Sequence, residues 1–402
     1  MREVVFVDFA RTAFANRGGG FRMYTAPELG AACIKGLIQK SGIWEKAGQM
    51  GVDSVFAGSA FPSKYTVNPV RYMTQLAAFP VEIEGHFVEM QCGSAITSIN
   101  HAAFQIALGY ADVAIAGGME SHSTRPVFMS TTTDPYKGLT PQWLPRHLAP
   151  TPEQDISMVE MSDLCAQKWN ISRSACDEYA LRSQQRLQAA YQSGLVGDEI
   201  VPFTIPAAKK TPEIIVDKDD HPRPDSTMEG LSRLSPVLEG GVTTAGNASG
   251  MNDGAAFVLM MSAEKAKELG YTPYARWVLG ADVGVEPRYA GIGSAYANVK
   301  ALKLAGLNAK DVDVWECHEA FAAQSLAVIK EMENQTGVTI DQANWNPNGG
   351  AIAIGHPNAA SGARTAQFCM KQLEKSGGKY GVISSCCGGG QGTTTIIENL
   401  RR

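Results

Sequence analysis

The chain has 402 residues, 44% hydrophobic and 19% charged, with 41 glycines and a formal net charge of -5. A chain of this size can bury a large core, and its mildly acidic balance speaks against a nucleic-acid surface, which is ordinarily basic. No run reaches the roughly 18 apolar residues of a membrane span. The start, Met1–Phe14, lacks the long apolar stretch of a secretory leader. The eight cysteines contain no C-x-x-C pair, which points to free thiols in a reducing cytoplasm rather than to zinc or disulfides.

In chain order, Val4–Asp8 reads as a buried strand, being short, apolar and β-branched. Ala26–Ser41 reads as a helix with Leu29, Ala32, Cys33, Leu37 and Ile38 on one face. Val55–Ala57 is a further strand, Asn68–Phe79 a helix stopped by Pro80, and Phe87–Met90 a strand. Ser94–Gly109 is a helix with Ile96, Ile99, Ala103, Ile106 and Ala107 inward, followed by the strand Val113–Gly117. Alternation of this kind predicts an α/β fold.

From Met119 to Gly246 the character changes. A polar, proline-bearing stretch (Thr131–Thr151) precedes helices over Asp155–Trp169 and Arg173–Ser193 and a charged segment, Lys209–Arg223. This reads as an insertion over the scaffold. A buried-strand pattern returns at Ala255–Met261. The alternation then resumes, with strands at Ala275–Ala281, Val312–Glu316 and Tyr380–Ser385 and helices at Tyr296–Ala305, Phe321–Glu333 and Arg364–Lys375. The expected architecture is two α/β halves, residues 1–118 (completed by 247–265) and 266–402, with residues 119–246 as a loop domain.

Cys92 sits between a strand and a helix. A thiol at a helix start meets unpaired N–H groups and the positive end of the dipole, which favour thiolate. A lone cysteine is more often a packed core thiol. His356, in a glycine-rich loop, can serve a thiol as base. Cys386 ends a β-run before Gly388–Gly390, whose N–H groups can face an oxyanion, although a plain turn after a strand has the same pattern. His318 also follows a strand. Lys209, Lys210, Lys218, Arg223 and Arg233 offer charges for the phosphates of a nucleotide handle, or simply a solvated loop. Neither a G-x-G-x-x-G fingerprint nor a P-loop is present.

Taken together, several segments resemble the thiolase family in its own order: Arg11-Thr12, Gln91-Cys92-Gly93-Ser94, His221-Pro222-Arg223-Pro224-Asp225, Thr244 to Ala256, Gly355-His356-Pro357, Ser361 to Arg364, and Cys386-Cys387-Gly388-Gly389-Gly390. The resemblance implies a five-layered α-β-α-β-α core of two βαβαβαββ halves. It implies that Cys92 carries the acyl group, that His356 activates it, and that Cys386 is the second catalytic cysteine. Gly388 would, with the Cys92 N–H, bind the thioester oxygen. His318 falls where many thiolases carry asparagine in N-E-A-F; an H-E-A-F version occurs in the thiolase subunits of β-oxidation complexes. Arg223 and Ser249 match coenzyme A contacts, and Met158 and Phe321 match pocket-lining positions. The implied activity is coenzyme A-dependent cleavage of a 3-oxoacyl-CoA, or the reverse condensation. Coenzyme A would be a substrate, with no resident cofactor and no metal. A homodimer or homotetramer and a β-oxidation partner subunit are the implied assemblies. An acetoacetyl-CoA-specific acetyltransferase is the alternative; Ser157, just before Met158, and His318 depart from short-chain biosynthetic thiolases and speak against it. A ketosynthase-like enzyme, a cysteine hydrolase and a non-catalytic acyl-CoA-binding subunit are the rivals. Cys386 argues against the first, and the trio of Cys92, His356 and Cys386 against the third; the second is separated by whether product release needs free coenzyme A.

Overall fold

The computed structural model describes residues 1–402 except 131–133, 135, 137, 139–140 and 209–211. Lys209 and Lys210, and part of the polar stretch expected over 131–151, therefore lie outside the described residues. The first half is built from β1 (Val4–Arg11), α1 (Ala26–Ser41), β2 (Ser54–Gly58), α2 (Pro69–Leu76), β3 (Glu84–Val88), α3 (Ser94–Leu108) and β4 (Val113–Glu120). The segment after it carries α4 (Met158–Lys168) and α5 (Arg173–Gln192), and β5 (Asn252–Ser262) then returns to the first sheet. The second half has β6 (Ala275–Gly284), α6 (Gly293–Ala305), β7 (Val314–Cys317), α7 (Ala322–Thr336), α8 (Ser361–Ser376), β8 (Tyr380–Cys387) and β9 (Gln391–Asn399).

Strand order shows the duplication that no sequence repeat reveals. The first half runs β3-β2-β4-β5-β1, and the second runs β7-β8-β9-β6. In both, the inner pairing is parallel (β2 with β4, β7 with β8) and the next two are antiparallel. A single parallel bridge, Trp315 to Trp345, stands where β3 stands in the first half. Among the described residues, the halves pair edge to edge only at Val5–Arg276 and Phe6–Ala275, between β1 and β6.

Side-chain alternation along β5 explains the layers. Phe257, Leu259 and Met261 face outward onto α1 residues such as Leu29 and Ile34. Val258 and Met260 face inward onto Ile96 and Ile99 of α3 and Ala366 and Met370 of α8. That inner cluster also takes Val314, Ile383 and Ile397 from the second sheet. Helices α3 and α8 thus form the middle layer, with a sheet on each side and α1 and α7 among the outer helices, in agreement with the five-layer expectation.

Most expected elements recur within a few residues. The strand expected at Phe87–Met90 instead spans Glu84–Val88, because the chain leaves the sheet before a left-handed Gln91 (φ +48°). The strand ending at Gly117 runs on to Glu120, paired through both glycines with β5. β9 was not anticipated. Its Thr393, Thr394 and Thr395 look polar in sequence but are fully buried between β8 and β6.

A buried ion network fastens the insertion to the scaffold. Arg11, fully buried, contacts Glu199 at 3.0 Å and makes a fork to Asp219 at 2.7 and 2.8 Å. Lys371 of α8 reaches the same Glu199 at 2.7 Å. Burial pushes the Glu199 carboxyl up, but Arg11 and Lys371 outweigh it and hold it well below the ordinary range. A depressed carboxylate stabilises the fold above its unfolded value and loses that contribution as pH falls through the folded value. Arg11→Met leaves the buried Asp219 without its cation and Glu199 with Lys371 alone, and should cost about 3–5 kcal/mol. The check is the urea midpoint, which should fall markedly at pH 7 and by less when both proteins are compared in strong acid.

Candidate active site

Cys92 lies on a short 3-10 turn, Gln91–Gly93, that opens into α3. Ser94 locks this turn: its Oγ accepts from Met90 N at 2.9 Å and donates to Gln91 O at 2.7 Å. Gly93 is required for contact with β8, since a Cβ there would sit 2.4 Å from Cys387 Sγ. Cys92 is 8% exposed. Burial, then the nearby Glu120, push its thiol up to about 12, while the N–H groups of Cys92 and Gly388 act in the opposite direction. The helix-start argument therefore holds for the donors and fails for the balance, because desolvation wins and the resting group is a thiol.

His356 is aimed by the turn before it. The helical turn Ala351–Ile354 ends at Gly355, whose φ of +102° and contact with the Asn252 side chain leave no room for a Cβ. His356 N then donates to Asn252 Oδ1 at 2.9 Å. At the start of α8, Ser361 Oγ donates to Pro357 O at 3.3 Å and lies 2.7 Å from His356 Nδ1. That hydroxyl therefore accepts from Nδ1–H, leaving Nε2 as an acceptor. Nε2 stands 3.1 Å from Cys92 Sγ, the geometry for taking the thiol proton. Burial, with His318, His122 and Arg364 adding, lowers His356 well below the usual histidine value, so the imidazole rests neutral.

His318 follows β7, its N–H donating to Ser384 O at 2.8 Å. Its ring centroid lies 4.0 Å from that of His356. Both ring nitrogens are buried without a partner among the described residues, and burial, then Arg364, push it down to about 3. Cys386, at the end of β8, is 1% exposed. Burial and the adjacent Cys92 raise its thiol well above the ordinary value. It shares an apolar cluster with Phe321, against which Met158 packs. The Leu148 side chain covers Gly388.

Cys92, His318, His356, Cys386 and Gly388 are thus brought to one place from both halves of the fold. The ligand atoms of Cys92, His318 and His356 all lie within 4.8 Å of one another and could hold a soft divalent ion. Two ligands of a tetrahedral zinc stand about 3.6 Å apart for sulfur and nitrogen. The 3.1 Å between Sγ and Nε2 suits proton transfer better.

Arg223 stands apart from this cluster. It lines a separate cavity of about 740 Å³ with Gln184, His221, Leu231, Gly246 and Ile352. That cavity is connected to the cluster through Asn16, whose Oδ1 meets His221 Nδ1 at 2.9 Å and Asn252 Nδ2 at 3.2 Å. Ser249 lies beside Phe321, its N–H donating to Ala320 O at 3.0 Å. Of the other expected phosphate ligands, Arg233 pairs with Glu229 on its own helical turn, and neither it nor Lys218 lines the cavity.

Sequence reasoning missed several members of the site. Asn252 and Ser361 orient His356. Glu319 accepts from Tyr179 Oη at 3.0 Å, Ser183 Oγ at 2.7 Å and Asn346 Nδ2 at 2.9 Å, tying α5 to the segment after β7. The buried Glu120 accepts from Ser59 Oγ and from the N–H groups of Ala60 and Ala359. Burial, partly offset by those bonds, raises it to about 7. Asn252, Ser361 and Glu319 lie in or beside quoted motifs, which flagged the segments without assigning these side chains, whereas Glu120 lies in none of them.

The profile described as "Thiolase, N-terminal domain" matches residues 4–264, and "Thiolase, C-terminal domain" matches residues 271–399. Over 411 residues the chain is 39% identical to a beta-ketoadipyl-CoA thiolase of Acinetobacter baylyi, covering 100% of both chains. It is 38% identical to an acetyl-CoA acetyltransferase of Thiocystis violacea, covering 99% of each. Among solved structures, the Bacillus anthracis acetyl-CoA acetyltransferase superposes with a TM-score of 0.90 at 35% identity, covering 99% of both chains. Human mitochondrial 3-ketoacyl-CoA thiolase in complex with CoA gives 0.88 at 35% identity, over 99% of this chain and 98% of that one. The chain belongs to the thiolase family and is an acyltransferase that uses coenzyme A as a substrate.

Proposed function

We propose that this chain cleaves 3-oxoacyl-CoA with coenzyme A, and runs the reverse condensation, through an acyl group carried on Cys92. The contact that carries this reading is the 3.1 Å approach of His356 Nε2 to Cys92 Sγ. His356 takes the thiol proton, and the thiolate attacks the 3-keto carbon of the substrate. The C2–C3 bond breaks, leaving the acyl group on Cys92 and the enolate of acetyl-CoA. Cys386, held as a thiol by burial, protonates that enolate at carbon. A second coenzyme A then collects the acyl group, which makes the scheme ping-pong. The N–H groups of Cys92 and Gly388 face the thioester oxygen. His318, whose ring nitrogens have no protein partner, faces the enolate oxygen.

The nucleotide end of coenzyme A is assigned to the cavity around Arg223, with Ser249, Met158 and Phe321 along the path inward. Residues 119–246 act as the unit that closes over the site, a reading supported by Leu148 against Gly388 and by α5 against Glu319. The working form is a homodimer or homotetramer. Its support is the outer edge of β3, which has no neighbouring strand among the described residues, and the exposed Phe87 on that strand.

A second reading narrows the acyl group to one ending in a carboxylate. It is favoured by the beta-ketoadipyl-CoA thiolase relatives. It is also favoured by Arg125 and Arg146, which flank Phe61 at 5.2 and 4.9 Å and form no ion pair with a described residue.

Three variants test the roles. Cys92→Ser should lower thiolysis at least about a thousandfold and leave no acetyl adduct in intact mass spectra after mixing with acetyl-CoA. Cys386→Ala should still become acetylated yet lose condensation, and near-normal condensation in that variant would sink its role. His318→Ala should slow the carbon–carbon step about 10²–10³-fold while sparing acetylation.

The acyl group is read by kcat/KM across a ladder of 3-oxoacyl-CoA lengths that includes 3-oxoadipyl-CoA. Preference for the dicarboxylate over its uncharged analogue of equal length, lost in Arg125→Ala or Arg146→Ala, supports the second reading. Equal rates on the two reject it.

A further inference from the structure

The Cys92 sulfur has a second polar neighbour that the proposed chemistry does not use. Asn358 lies two residues beyond His356, at the start of a 3-10 turn, Asn358–Ala360. Its Nδ2 points at Cys92 Sγ from 3.8 Å, the long end of a hydrogen bond to sulfur. Its Oδ1 lies 2.8 Å from Nε2 of His122, which is buried just beyond β4.

The orientation of this amide follows from the imidazole. An amide oxygen can only accept, so His122 Nε2 must carry its hydrogen and Nδ1 must be bare. Nδ1 is a buried atom with no partner among the described residues, as a spare lone pair can be and a donor should not be. With the amide oxygen engaged by His122, the amide N–H groups are left facing the sulfur. The reverse amide orientation would set an oxygen lone pair against a forming thiolate. The thiol hydrogen already has an acceptor in His356 Nε2. Once that proton leaves, the sulfur needs donors, and Asn358 supplies one from another direction.

We propose that Asn358, oriented by His122, is a further catalytic residue that donates to the Cys92 sulfur and stabilises its thiolate. This rests on Cys92 being the nucleophile. The other titratable groups facing the sulfur are His356, Cys386, Cys387, Glu89 and Glu120. Those facing His122 are Arg17, Arg125 and His356. All of them stay in place in the variants below.

The test is the pH dependence of Cys92 alkylation by iodoacetamide in the full-length protein, with the modified cysteine located by peptide mass. Asn358→Leu should move the midpoint up by about one pH unit and slow alkylation at pH 7 about tenfold. His122→Phe should shift it in the same direction by less, and His122→Gln, which keeps an N–H toward Oδ1, should restore it. A wild-type midpoint in folded Asn358→Leu overturns the proposal. So does a loss of reactive sites with no change in midpoint, the mark of a merely structural role. If Asn358→Leu does not fold, the His122 pair decides, and equal midpoints for Phe and Gln overturn it. Failure of the wild-type protein to form an acetyl adduct on Cys92 would instead sink the nucleophile reading itself, a result this alkylation series does not depend on.

Discussion

The site depends on one constraint: a thiol and two imidazoles are buried together with no fixed counter-charge beside them. Desolvation favours the uncharged form of each, raising Cys92 to about 12 and lowering His318 to about 3. A stable thiolate–imidazolium pair would need a carboxylate at the far side of the imidazole, as in a Ser-His-Asp triad. Here the group at His356 Nδ1 is the Ser361 hydroxyl, which orients the ring and fixes its tautomer without adding charge. The pair rests neutral, and charge arises only while a proton is in transit. What the surroundings can offer that transient charge is a set of fixed dipoles: two backbone N–H groups, the Asn358 amide and the free nitrogens of His318.

Fixed dipoles work only if they do not relax, and the fold makes them rigid. Cys92 comes from the junction of β3 and α3, whereas His318, His356 and Cys386 come from the second half. Among the described residues the two halves pair at only two positions along the sheet edge, so the register between them is set by the packed middle layer of α3 and α8. The site sits at the end of that layer, where both helices begin. Gly93 against Cys387, and Gly362 against Ile96, are close approaches that a methyl group would force apart. The sulfur-to-nitrogen spacing is therefore a consequence of helix packing as much as of the motifs themselves.

Much of this was legible in the sequence, for identifiable reasons. Hydrophobic period gave α1 and α3 almost to the residue, because both present a strong apolar face to a sheet. Buried β-branched runs gave β1 and β8. The period argument missed β9, whose first half is a run of buried threonines, two of which bond Ile383 O and Asn100 Oδ1, with apolar Ile396 and Ile397 only beyond them. It also misplaced β3, a half-exposed edge strand with little apolar content. At the site, motif resemblance gathered Cys92, His356 and Cys386, which lie far apart in sequence. The supporting side chains were opaque. Ser361, Asn252 and Asn358 are ordinary polar residues whose roles exist only through partners supplied by the fold. The balance between helix dipole and desolvation at Cys92 was likewise unreadable, since it turns on a burial that no local pattern states.

The polar groups that the protein leaves unsatisfied are themselves informative. Native interiors pair nearly all buried polar atoms, yet His318 keeps both ring nitrogens without a partner and Glu316, two residues earlier, keeps both carboxylate oxygens so. Arg364 stands between these groups electrostatically, 3.7 Å from Glu316 and lowering the pKa of both His318 and His356. Burial raises Glu316 to about 8 despite Arg364. The Glu316–Arg364 arrangement therefore leaves a positive bias behind the imidazoles and helps keep them uncharged. An unprotonated His318 with one N–H still free is a hydrogen-bond donor without a counter-ion, which suits an oxygen that becomes negative only at one step. In the proposed reaction, a charged imidazolium there would favour the Cys92 thiolate as well as the enolate and blunt the distinction between the two steps. The unsatisfied atoms cost stability in the empty protein, and they are consistent with an interior shaped around an oxygen that only the proposed substrate brings.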